Sequence, residues 1–87
     1  MKVGMCGTME SNDCLVTIKG NDLNENIVNI ESIVDDFYHE EILSCVNSVL
    51  KEFKLKGVTV DINDKGALDF TIKARVKTAI ERMMKNA

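Results

Sequence analysis

Val58-Thr59-Val60-Asp61-Ile62 alternates strictly between apolar and polar side chains, and no other stretch constrains the fold as tightly. Successive side chains of a strand point to opposite faces, so Val58, Val60 and Ile62 share one side and Thr59 and Asp61 the other. A sheet built around such a strand has one face to bury and one that can meet water. Something must cover the buried face. The cover lies directly upstream, where Ile33, Phe37, Ile42, Cys45, Val46, Val49, Leu50 and Phe53 recur at helical spacing. They form one stripe of a helix running to about residue 54. Asp35 or Asp36 stands where a helix N-terminus favours a carboxylate, and Gly57 can close the far end.

Two further strands precede that helix. Residues 14–19 are rich in β-branched side chains and are stopped by Gly20-Asn21-Asp22; residues 27–32 follow after a polar stretch. Past Ile62, Asn63-Asp64-Lys65-Gly66 has the composition of a hairpin turn, with Gly66 able to take a positive φ. The next segment reads two ways. Leu68, Ile72, Val76, Ala79, Ile80 and Met83 make a helical stripe, while Leu68, Phe70, Ile72 and Ala74 alternate as a strand. Only the strand buries Phe70, and the hairpin signal tilts the reading to a strand up to about residue 73, then a helix over 74–85. The expected order is β-β-α-β-β-α. That is an α+β fold, a small two-layer sandwich with an antiparallel-type sheet and two helices on one face. Leu15, Ile18, Val60 and Ile62 are expected in its core. The 87 residues contain no proline and suit a single domain, 1–87.

Size and charge narrow the function. A domain this small buries only about 60–65% of its unfolded surface, which leaves few side chains to line a deep catalytic cleft. The net charge is −3 with no basic block, which disfavours nucleic acid. Lys73, Arg75, Lys77, Arg82 and Lys85 read as a solvated face near a helix C-terminus. No apolar run of about 18 residues is present to span a membrane. Cys6, Cys14 and Cys45 leave one thiol over under any pairing, and with a single histidine they do not suggest structural zinc. The first residues lack the apolar core of a secretory signal, so a reducing cytoplasm is expected.

Few side chains offer chemistry. His39 could act as a general base, but its charged helical setting is that of an exposed surface histidine. Asp61, Asp64 and Asp69 could form a carboxylate cluster, yet a strand's polar face and a turn account for the first two. The five glycines are scattered and make no phosphate loop. What remains is Gly7-Thr8-Met9-Glu10-Ser11-Asn12-Asp13, a polar segment between Met5-Cys6 and Cys14-Leu15-Val16. It places the Ser11 hydroxyl on an exposed turn, where on composition alone it would be an ordinary turn serine.

Those seven residues resemble the G-T-L-E-S-x-D segment of the citrate lyase acyl carrier family, also called the gamma subunit. Asp64-Lys65-Gly66-Ala67-Leu68-Asp69, with Ile72, Ala74-Arg75, Ala79 and Arg82, resembles that family's D-K-G-A-L-D-x-x-I-x-A-R-x-x-x-A-x-x-R run. The resemblance implies a non-catalytic carrier whose Ser11 bears phosphoribosyl-dephospho-CoA through a phosphodiester. It implies that the thiol of this group carries acetyl and citryl thioesters while citrate is cleaved to oxaloacetate and acetate. The implied partners are the alpha (acyl transferase) and beta (lyase) subunits, a prosthetic-group transferase and an acetylating ligase. A long tether raises the effective concentration of the acyl group at each partner. Phe70 departs from the family pattern, which often has cysteine there, and Asn12 fills a variable position. The carrier of malonate decarboxylase is the nearest rival; an unmodified interaction domain that docks through its open sheet face is another.

Overall fold

The computed structural model describes residues 2–33 and 35–85, without the side chains of residues 35–37. The elements run β1 (Val3–Gly7), β2 (Cys14–Gly20), β3 (Ile27–Ser32), α1 (Asp35–Glu52), β4 (Val58–Asp64) and α2 (Asp69–Lys85). The four strands form one sheet in the order β1-β2-β4-β3. β1 and β4 each run antiparallel to β2, while β3 runs parallel to β4. The expected α+β two-layer architecture is present, with the helices on one face. The sheet is mixed rather than purely antiparallel because α1 carries the chain back between β3 and β4, as a parallel crossover requires.

Alternation decides what the core contains. Val58, Val60 and Ile62 of β4 are buried, and so are Cys14, Val16 and Ile18 of β2. Leu15, expected in the core, is only half-buried because its neighbours Cys14 and Val16 take the inward positions. From the helices, Ile42, Cys45, Val46, Val49 and Leu50 meet Ile72, Val76, Ala79, Ile80 and Met83 over this face. The proposed capping by Asp35 or Asp36, and Phe37 in the stripe, fall outside the described side chains. α1 is closed by Lys54 rather than Gly57. Lys54 takes a φ of 55°, and the Lys54 and Leu55 N–H groups donate to the Lys51 and Leu50 carbonyls, a Schellman closure.

Two sequence expectations fail for packing reasons. β1 was not anticipated, since a five-residue segment with two glycines has weak strand propensity. Gly4 is what admits it, because any Cβ there would enter the backbone of Ala79 and Met83 in α2. The segment over 68–73 is not a strand: α2 starts at Asp69, and the Ile72 N–H donates to the Leu68 carbonyl at 3.0 Å. The helix buries five apolar side chains between Ile72 and Met83, which outweighs leaving Phe70 exposed. Gly66 has the positive φ expected of it, 93°, but turns the chain into a helix.

Candidate functional site

The segment between β1 and β2 folds into a turn that its own side chains fasten. The Thr8 hydroxyl accepts from the Glu10 N–H at 3.2 Å and donates to Asp13 Oδ2 at 2.8 Å. The Asp13 N–H donates to the Glu10 carbonyl at 3.2 Å, which puts Ser11 and Asn12 at the tip. Asn12 takes a φ of 67°, a conformation that asparagine tolerates better than most residues. Ser11 is exposed, and no hydrogen bond among the described residues engages its hydroxyl. The turn therefore holds its shape without that hydroxyl.

Asp13 is the fastening point. Its Oδ1 accepts from the Cys14 N–H at 2.7 Å and from Arg75 Nε at 3.0 Å, and its Oδ2 accepts from Arg75 Nη2 at 2.9 Å. The bidentate guanidinium lowers the Asp13 pKa to about 2; partial burial opposes this, and the Thr8 and Cys14 donors assist it. Arg75 is held firmly protonated by the same pair. The turn is also tied to the loop after β4. The Asn12 N–H donates to the Lys65 carbonyl and the Lys65 N–H to the Asp13 carbonyl, both at 2.8 Å. That loop is shaped by buried Asp64, whose carboxylate accepts from Ser32 Oγ at 2.8 Å and the Ala67 N–H at 2.9 Å. The two sequence blocks thus meet around Ser11. The partnership of Asp13 with Arg75, 62 residues away, was not derivable from spacing.

The other candidates stay apart. Asp61 lies on the open face and accepts from Asn29 Nδ2 at 2.9 Å, Asp64 faces the helices, and Asp69 opens α2 in solvent. The sheet separates the first from the second, so no acid–base cluster forms. His39 is exposed on α1. Among the described residues no three His, Cys, Asp or Glu side chains gather as a metal site. All three cysteines are free and buried. Burial pushes the Cys14 thiol up to about 12, with nearby Asp13 and Asp64 adding to it, and burial raises Cys45 too, which removes these thiols as nucleophiles. No described helix is long and apolar enough to cross a membrane. Among the described residues, Ser11 presents an exposed hydroxyl at the tip of a turn that other side chains hold in place. Its outward placement and lack of a competing bond fit a covalently attached group.

Comparison with known proteins places the chain in a family. The family model of the malonate decarboxylase delta subunit (MdcD), an acyl carrier model, matches residues 1–83. The fold superposes with a TM-score of 0.79, at 14% identity, on a chain of a Pseudomonas malonate decarboxylase hetero-tetramer crystallised with malonate, covering 94% of this chain and 84% of that one. The class is that of small α+β acyl carriers. The citrate lyase acyl carrier protein of Treponema denticola is 46% identical over 78 residues, 90% of this chain and 87% of the relative. That of Latilactobacillus sakei is 42% identical over 81 residues, 93% of this chain and 79% of the relative. This chain belongs to the citrate lyase acyl carrier protein family.

Proposed function

We propose that this chain is the acyl carrier subunit of a cytoplasmic citrate lyase, with phosphoribosyl-dephospho-CoA attached to Ser11 through a phosphodiester. The observation that supports it most is the exposed Ser11 hydroxyl on a turn fixed by Asp13, Arg75 and Lys65. When bound, the group supplies a thiol that carries acetyl and citryl units as thioesters. The chain's own residues do the positioning. Ser11 anchors the arm, Asp13 and Arg75 hold the anchor in register with the sheet, and the small domain presents it to the alpha and beta subunits. A transferase loads Ser11 and a ligase acetylates the thiol. No residue of this chain takes part in bond cleavage.

Intact mass of the protein from its host should exceed the sequence mass by one phosphoribosyl-dephospho-CoA. Ser11→Ala should lack the adduct and abolish citrate cleavage while keeping the parent melting temperature. An adduct on the Ser11→Ala protein would refute the site. The malonate decarboxylase reading is favoured by the family model and the fold match. It requires a malonyl rather than a citryl adduct when the loaded carrier meets its host's large subunits.

A further inference from the structure

Four large apolar side chains that the fold leaves in water gather beside the Ser11 turn. Phe70 is 70% exposed, Ile33 65%, Leu68 63% and Tyr38 49%. Tyr38, Leu68 and Phe70, with Ile42 and Ala67, line an open groove of about 530 Å3. Gly66 joins this groove to the turn. It lines the groove, and a Cβ built on it would stand 3.7 Å from Asn12 Oδ1 and 3.8 Å from Ile33 Cδ1. The core does not explain these side chains, because the buried stripe of α2 begins only at Ile72. Contiguous exposed apolar surface of this kind marks an interaction site. Glu41 and Asp69, both exposed, set two carboxylates on the groove's lip.

We infer that this groove is the surface on which the carrier docks to the subunit that receives its arm. The partner it fits is a protein surface with an apolar side chain for the groove and Lys or Arg beside it for Glu41 and Asp69. The carboxylates disfavour a phosphate-bearing or tricarboxylate ligand, which would meet like charge there, and favour a basic rim. The position suits the task, since a partner seated here borders the anchor of the arm. The open sheet face is the poorer candidate. Its groove is smaller, about 240 Å3, and its polar side chains pair across strands, Asn29 with Asp61 at 2.9 Å and Asn63 Nδ2 with Glu31 at 3.3 Å, with Asn63 Oδ1 left unpartnered. This inference rests on the carrier reading only in assuming that the partner must reach Ser11.

Docking is read without the arm, by titrating the full chain carrying Ser11→Ala against assembled alpha and beta subunits of citrate lyase. Phe70→Asp or Leu68→Asp added to it should weaken binding about tenfold or more, the effect expected of a central contact. Glu41→Lys should weaken it less and in a salt-dependent way, and Thr17→Lys on the open face should leave it unchanged. Three binding results would overturn the inference: no binding by the parent, parent-like binding by Phe70→Asp with its melting temperature intact, or loss with Thr17→Lys instead. Ring signals of Tyr38 and Phe70 that shift on loading Ser11 in the free carrier would also overturn it, because the arm itself would then fill the groove. Intact mass separates the two readings. An adduct with parent-like binding by Phe70→Asp ends the docking inference alone, and no adduct with binding lost ends the carrier reading alone.

Discussion

The two ends of the sheet are stitched by different chemistry. At the end that bears Ser11, the ties are carboxylates: Asp13 to Arg75, Thr8 and Cys14, and Asp64 to Ser32 and Ala67. At the opposite end the ties are neutral amides. Asn21 accepts from the Leu23 N–H at 2.8 Å and donates to Thr59 Oγ1 at 3.1 Å. Asn26 donates to the Leu55 carbonyl at 3.0 Å and accepts from the Val58 N–H at 3.2 Å. Both sets satisfy loop backbone groups that would otherwise lack partners. Of these two sets of ties only the first is charged, and it adjoins the exposed apolar groove lined by Tyr38, Leu68 and Phe70. Holding loops together does not require charge, so the carboxylate end is where function would have left its mark.

The contrast can be broken by removing ties from each end. Asp64→Ala should have the largest effect, about 2–4 kcal/mol, because it strips a buried acceptor from the Ala67 N–H. A urea denaturation midpoint within error of the parent's would show that the Gly66 loop does not depend on Asp64. Asp13→Ala should cost about 1–2 kcal/mol near neutral pH, discounted because Arg75 is partly exposed. Here pH gives a sharper test. The folded pKa of about 2 lies below the ordinary value of 3.8, so the carboxylate's stabilisation is complete above about pH 4 and is lost as pH falls through 2. The difference between parent and Asp13→Ala midpoints should therefore shrink between pH 4 and pH 2. A constant difference would mean that the ion pair contributes nothing. Asn26→Ala should be the mildest, about 1 kcal/mol, and equal at both pH values because an amide does not titrate. Acid sensitivity there would erase the distinction between the two ends.

Much of the fold could be read from the sequence where one period dominated. β4 and the middle of α1 are unambiguous because their buried side chains recur without interruption. β2 is legible as a strand, but its apolar Cys14-Leu15-Val16 run hides which face is buried, which is why Leu15 is misassigned. β1 was illegible because its evidence is a glycine chosen for contact with α2, and such contact has no local signal. The 68–73 segment is ambiguous in sequence because only a strand would bury Phe70, and the fold leaves Phe70 exposed. A large exposed aromatic makes sense only once the groove beside it is seen. The position of Ser11 was legible as a polar turn, whereas the reach of Arg75 to Asp13 needed the sheet that brings β2 under α2.

The Ser11 turn has a consequence for capture by any partner. Its backbone is bolted to the Lys65 loop and its Asp13 carboxylate to Arg75, so its freedom was surrendered when the chain folded. A partner that seizes this segment has little left to freeze, and under the proposed attachment at Ser11 the wandering would belong to the arm. With the post stiff, only the rope of the proposed arm would need to swing.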